Sequence, residues 1–233
     1  HGVGIDNVVD LATATKLGLY VVNTPCANSD SVAEKTIAGI LAFSQKIVKQ
    51  HLATKELDFE SQNCGGMHEI NNKTIGLIGL GNIGRRVAKI AAEGFSMKVI
   101  GYDPFVKKEM LPDYIEYTED INCIYKESDF VSLHVGATPQ TIGMIGKEQL
   151  KMMKKTAVFV NIARGALVVE EELAKALKEG EIAGAVLDVY STEPAKPDNP
   201  LISLDNVLLS PHCAALTDEA MDKMSYDAAR GLV

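Results

Sequence analysis

Short apolar runs recur along the 233-residue chain, and segments with helical spacing lie between them. The runs at 75–80, 99–102, 130–135, 157–162, 183–187 and 207–210 are mostly continuous rather than alternating. Continuous runs of that length are what strands covered on both faces of a parallel sheet require. The segments 83–94, 120–128, 147–152 and 170–179 repeat their apolar positions with helical spacing. Such strand–helix alternation predicts an α/β fold built on a doubly wound parallel sheet. Glu170, Glu171 and Glu172 fall in the first turn of their helix, where the helix dipole favours negative charge, and Gly180 follows as a C-cap.

A different piece precedes this unit. Residues 8–22 carry a short helical pattern and then a strand at 19–22, stopped by Asn23, Thr24 and Pro25. Residues 31–50 read as one long helix entered through Asn28, Ser29 or Asp30 as a cap. Val32, Ile37, Ile40, Leu41, Phe43, Ile47 and Val48 put apolar groups on more than one of its faces, as in a core helix. Residues 62–66 read as a loop, and no internal repeat is present.

Composition narrows the class. With 46% hydrophobic and 23% charged residues the chain suits a globular protein rather than a disordered one. The 23 Lys and Arg against 31 Asp and Glu leave a net charge of −8, which argues against a nucleic-acid groove. No apolar run approaches the roughly 20 residues of a membrane span. Cys26, Cys64, Cys123 and Cys213 are far apart and form no C-x-x-C pair, so a reduced, cytoplasmic protein is expected. Cys64 and His68 make only two ligands, so no metal site is expected.

The strand at 75–80 runs into Gly79-Leu80-Gly81-Asn82-Ile83-Gly84, with a helical pattern directly after it. Gly79 permits a tight turn, Gly81 has no side chain to block a pyrophosphate, and Gly84 lets helix and strand pack closely. The N–H groups at the start of that helix would face the phosphates. Asp103, about twenty residues further on, ends the second strand, where a carboxylate binds both hydroxyls of an adenine ribose. Its charge would repel the 2′-phosphate of NADP, and residue 104 is Pro rather than Arg. The expected cofactor is therefore NAD, with Lys107 and Lys108 leaving NADP open.

Three polar residues stand just past the ends of later strands: Arg164 in N-I-A-R-G, Glu193 in L-D-V-Y-S-T-E-P and His212 in S-P-H. Each alone has a dull explanation as surface charge or a cap. Together, at the carboxyl ends where open α/β sheets bind ligands, they supply what carbonyl reduction needs. Those needs are a proton donor, a carboxylate beside it and a cation for an anionic substrate.

The motifs G-V-G-I-D-N, N-S-D-S-V-A-E, G-L-G-N-I-G, H-V-G-A-T-P-Q-T, N-I-A-R-G, L-D-V-Y-S-T-E-P and S-P-H occur in this order over essentially the whole chain. In this the sequence resembles the D-isomer-specific 2-hydroxyacid dehydrogenases, which include D-lactate, glycerate, hydroxypyruvate/glyoxylate and D-3-phosphoglycerate dehydrogenases. The resemblance implies a Rossmann-type NAD-binding domain over 28–211 and a remnant of a flavodoxin-like substrate domain at 1–27. It also implies that 212–233 begin a helix returning to that domain. The implied activity is interconversion of a small 2-oxo acid and its D-2-hydroxy acid with NAD. His212 would be the acid/base, Glu193 its paired carboxylate and Arg164 the anchor for the substrate carboxylate and carbonyl. Gly79, Gly81, Asn82, Ile83 and Gly84 would hold the pyrophosphate and Asp103 the ribose. Val135, Gly136 and Thr141 would flank the cofactor, with Ile162, Ala163, Arg164, Asp188 and His212 around its nicotinamide end. Val3 and Gly4 would offer backbone N–H groups to the substrate carboxylate beside Arg164 and His212. A homodimer is implied as well.

The chain also departs from the pattern. Gly136 stands where the family commonly has Pro, which would loosen the cofactor loop, and Cys213 beside His212 is unusual, read as a buried thiol. His134 in H-V-G is expected to be structural or near the cofactor. Further residues ahead of 1–27 build most of the substrate domain in this family, and a start at His1 without Met fits a piece of a longer protein. An NAD-responsive binding protein like the corepressors of the same fold is the alternative function. Formate dehydrogenase is disfavoured, because that branch pairs Gln with His where this chain has Glu193 and His212.

Overall fold

Every long apolar run except one becomes a strand of a single sheet. A computed structural model describes residues 9–63 and 65–231. Seven parallel strands, β1 (Thr74–Ile78), β2 (Lys98–Tyr102), β3 (Ile115–Tyr117), β4 (Phe130–Leu133), β5 (Val158–Asn161), β6 (Gly184–Leu187) and β7 (Val207–Leu209), lie in the order β3-β2-β1-β4-β5-β6-β7. The strand order reverses between β1 and β4, the switch point at which doubly wound sheets open a crevice for a dinucleotide. The Rossmann-type fold read from the sequence is the fold observed.

Alternate strand residues enter two separate cores. Ile75, Leu77, Val158, Val160 and Val186 face α2 (Ser29–Ser44) and α4 (Asn82–Lys89), whereas Ile78, Leu133, Phe159, Ala185 and Leu187 face the other layer. That layer is made by α5 (Ile121–Glu127), α6 (Lys147–Met152) and α7 (Glu170–Lys178). The helix α2 passes so close to the sheet that a Cβ on Gly39 would stand 2.6 Å from Val186 Cγ1.

Four expectations change. The helix read over 31–50 is two, α2 and α3 (Ile47–Lys55), separated at Lys46 with φ 52°. The cause is tertiary: the returning chain places the His68 N–H on the Ser44 carbonyl at 2.9 Å, and Gln45 Nε2 donates to the His68 carbonyl at 2.8 Å. No Gly or Pro marks that break. The run at 19–22 follows a short helix α1 (Leu11–Lys16) but pairs with no described strand, leaving Tyr20 93% exposed. The short edge strand β3 went unread because only Ile115 of its three residues is buried. The helical pattern at 83–94 ends as a π-turn over Ile90–Gly94. Past β7, α8 (Asp218–Arg230) starts at Thr217, whose Oγ1 accepts the Ala220 N–H at 3.2 Å.

Candidate active site

The loop from β1 into α4 is shaped by its glycines. Gly79 has φ +100°, and a Cβ there would lie 2.6 Å from the His134 carbonyl oxygen. A Cβ on Gly84 would lie 2.1 Å from the Gly79 carbonyl oxygen, while one on Gly81 would meet nothing within 4 Å. The loop is thus closed beneath and open at Gly81. The N–H groups of Asn82, Ile83 and Gly84, in the first turn of α4, have no carbonyl within the helix to bond. This open side and these free donors fit a dinucleotide pyrophosphate. Asp103 sits across the loop mouth: its Oδ2 accepts the Leu80 N–H at 2.8 Å and its Oδ1 the Phe105 N–H at 2.9 Å. A carboxylate has further lone pairs for ribose hydroxyls. On the other side, Thr141 Oγ1 donates to the Gly136 carbonyl at 2.7 Å and accepts the Thr138 N–H at 2.8 Å. Gly136 has open space around it and its loop is tied by Thr141, so the missing Pro does not leave the loop unheld.

The three polar residues stand past the carboxyl ends of neighbouring strands, Arg164 after β5, Glu193 after β6 and His212 after β7, and of these Glu193 and His212 meet. His212 Nδ1 lies 2.6 Å from Glu193 Oε2. A carboxylate only accepts, so Nδ1 carries the proton of this bond and Nε2 is left for other partners. Glu193 Oε1 accepts the Tyr190 N–H at 3.0 Å, which fixes the carboxylate to its own loop. Tyr190 also reaches the His212 loop, its hydroxyl donating to the Ser210 carbonyl at 2.9 Å. Arg164 hangs from a turn cross-tied by Asn161, whose Nδ2 donates to the Arg164 carbonyl at 2.9 Å and whose Oδ1 accepts the Ala163 N–H at 3.1 Å. One guanidinium nitrogen bonds the Ala163 carbonyl at 2.6 Å. Beside the dyad, Tyr190, Pro194, Ile202, Leu209 and Pro211 wall a cleft of about 750 Å³.

His212 itself has φ 54°, a left-handed conformation costly for a residue with a Cβ. What holds it is Asp188, fully buried at the end of β6. Its carboxylate accepts Ser210 Oγ at 2.5 Å, the Cys213 N–H at 3.1 Å and the Ala214 N–H at 2.9 Å. Ser31 of α2 adds a hydroxyl bond to the Ala214 carbonyl. Ile162 likewise is 6% exposed and belongs to the core beneath the site. Cys213 is half-buried rather than buried, with Lys35 Nζ 3.6 Å from its sulfur. His134 shares a bond of 3.0 Å with Ser132 through Nε2, and burial pushes its imidazole down to about 4. Val3 and Gly4 lie outside the described residues, as does Cys64. Among the described residues no group of three or more His, Cys, Asp or Glu is placed to hold a metal, and no helix is long and apolar enough to cross a membrane.

Sequence reasoning missed the bracing residues Tyr190 and Ser210. Their one signal was their place inside or next to the motifs that carry Glu193 and His212.

The sequence profile described as "D-isomer specific 2-hydroxyacid dehydrogenase, NAD binding domain" matches residues 37–214. The chain belongs to that family. D-3-phosphoglycerate dehydrogenase of Methanocaldococcus jannaschii is 47% identical over 220 residues, covering 94% of this chain and 41% of the relative. Glyoxylate reductase of Korarchaeum cryptofilum is 39% identical over 237 residues, covering 100% of this chain and 70% of the relative. The NAD-complexed D-isomer specific 2-hydroxyacid dehydrogenase of Lactobacillus delbrueckii ssp. bulgaricus superposes with a TM-score of 0.82 at 34% identity, covering 97% and 71% of the two chains. The chain thus spans about two fifths of the phosphoglycerate dehydrogenases it matches. What it carries, over residues 37–214, is that family's NAD-binding domain.

Proposed function

We propose that the whole protein interconverts a small 2-oxo acid and its D-2-hydroxy acid with NAD. The observation that carries this reading is the 2.6 Å pair of His212 and Glu193, with Nε2 left free, on the same sheet edge as the glycine loop. Asn82 and Ile83 donate backbone N–H groups to the pyrophosphate and Asp103 takes the ribose. Val135, Gly136 and Thr141 flank the cofactor, while Ile162, Ala163 and Asp188 surround its nicotinamide end. The nicotinamide, when bound, supplies or accepts the hydride. His212 Nε2 gives a proton to the carbonyl oxygen in reduction and takes it back in oxidation, with Glu193 holding the ring. Arg164 grips the substrate carboxylate through a fork of N–H groups and fixes the face presented. Val3 and Gly4 add backbone donors to that carboxylate.

The remaining assignments belong to the same reading. Residues 1–27 are the end of a substrate domain, 28–211 form the NAD-binding domain and 212–233 lead back to the first. The protein is placed in the cytoplasm, and a homodimer is supported by the exposed Ile47, Val48 and Leu52 on α3. The test is NADH oxidation by the whole protein against a panel of 2-oxo acids, beside His212→Ala. Turnover by the wild type, falling about 10²- to 10⁴-fold in the variant, is expected for loss of a general acid. NADH binding without turnover of any oxo acid overturns the enzyme in favour of an NAD-responsive binding protein.

A further inference from the structure

Glu170 opens α7 and is 8% exposed. A carboxylate in a first turn is favoured by the helix dipole, but that effect is available at the surface, where Glu171 stands. Burial of Glu170 therefore needs a different cause, since a buried charge is costly unless it is hydrogen-bonded. Both of its oxygens are engaged, and by one loop. Oε1 accepts the Ser191 N–H at 2.5 Å, and Oε2 accepts Asn199 Nδ2 at 2.9 Å. Those donors stand on either side of Glu193 in the chain. Asn199 cannot turn its amide round freely, because its Oδ1 accepts the Leu201 N–H at 3.0 Å. The same loop touches the Arg164 turn: a Cβ on Gly165 would lie 1.9 Å from the Tyr190 carbonyl oxygen.

We propose that Glu170 is a positioning residue, clamping the Glu193 loop at both ends so that Glu193 meets His212 while the Arg164 turn stays in register with both. This deepens the reading of His212, Glu193 and Arg164 as the reaction centre and rests on it. The chemistry is specific. Two donors converge on Glu170, and only an acceptor-only group satisfies both. Glutamine there would turn its NH₂ toward one of them. Aspartate at 199 would reverse that mismatch, accepting from the glutamine NH₂ while still accepting from Leu201.

The test compares Glu170→Gln, Asn199→Asp, the double variant and the surface control Glu171→Gln. Two readouts are taken on the protein: the ring ¹⁵N shifts of His212, which report the nitrogen that carries the proton, and steady-state turnover. Each single variant is expected to shift the His212 ring away from the Nδ1–H tautomer. Each should also lower kcat by roughly ten- to a hundredfold, the scale of a small misplacement of a catalytic group, with KM for NADH little changed. The double variant should recover both readouts, and Glu171→Gln should change neither. A lower melting temperature with the tautomer and kcat intact would make Glu170 a purely structural brace and overturn the proposal. Should Glu170→Gln not fold, Asn199→Ser, which takes away the amide donor to Glu170 together with the amide acceptor for the Leu201 N–H, carries the same expectation. The tautomer needs no turnover, so a lost and recovered ring signal in a protein that reduces no oxo acid supports the clamp and sinks the enzyme.

Discussion

The Asp188 carboxylate, just past the end of β6, accepts the backbone N–H of Ala214 at 2.9 Å, two residues past His212, and so reaches the His212 loop from the strand beside β7. With Ser210 Oγ and the Cys213 N–H on the other oxygen, one buried side chain fastens both flanks of a histidine in the left-handed region. The strain at His212 persists because its surroundings over-determine it.

Asp188→Ala is therefore expected to destabilise more than an ordinary surface change. It strands three oxygen and nitrogen donors besides the Cys213 thiol, and each of the three costs about 1–3 kcal/mol where it stays buried. Asp188→Asn should lose less, since one oxygen remains. Urea denaturation checks the order, and hydrogen exchange at the Ala214 N–H checks the location. Equal stability of Asp188→Ala and wild type would contradict the anchor.

Gly81 and Gly84 separate cofactor binding from folding. A methyl on Gly84 would meet the Gly79 carbonyl at 2.1 Å, so Gly84→Ala must displace backbone and should lower both melting temperature and NADH affinity. A methyl on Gly81 has free space in the protein alone, so Gly81→Ala should melt like wild type. It should nonetheless weaken NADH by about tenfold or more, because the methyl occupies the side from which the pyrophosphate approaches. Calorimetry and NADH titration on both variants make the comparison. Unchanged affinity in Gly81→Ala would place the pyrophosphate elsewhere.

The exposed apolar side of α3 carries the dimer reading. Ile47, Val48 and Leu52 are 52%, 46% and 56% exposed, a density unusual for a helix facing water. Sedimentation equilibrium at micromolar concentration should give a dimer, and Leu52→Asp should shift it toward monomer while NADH binding persists. A monomeric wild type would refute it.

What the sequence could reveal depended on whether a feature was local. The glycine loop, Asp103 and the strands that lead to Arg164, Glu193 and His212 were legible because strand, turn and helix signals adjoin in the chain. The break between α2 and α3 was not, since it is made by the His68 segment arriving from elsewhere on the Ser44 carbonyl. Asp188 was noticed for a place near the nicotinamide, but its three bonds to residues 210–214 depend on β6 and β7 lying side by side. Glu170 looked like a dipole residue, identical in type to Glu171 and Glu172. Only the tertiary fold tells which of the three turns inward.

His134 gives the pH dependence a definite sign. Burial moves its imidazole from the usual 6.5 down to about 4. As pH falls, the unfolded chain takes up this proton first, near 6.5, while the folded protein resists until about 4. The unfolded state thus binds more protons in that window, and stability rises with pH across it. The contribution is fully present above 6.5 and is lost as pH falls through about 4, with a slope of at most roughly 1.4 kcal/mol per pH unit for one proton. His134→Gln keeps a side chain able to bond Ser132 but does not titrate, so its stability should depend less steeply on pH over the same window. Urea midpoints for both forms across it provide the measurement, and parallel slopes would show that His134 takes up its proton equally readily in the folded and unfolded chain.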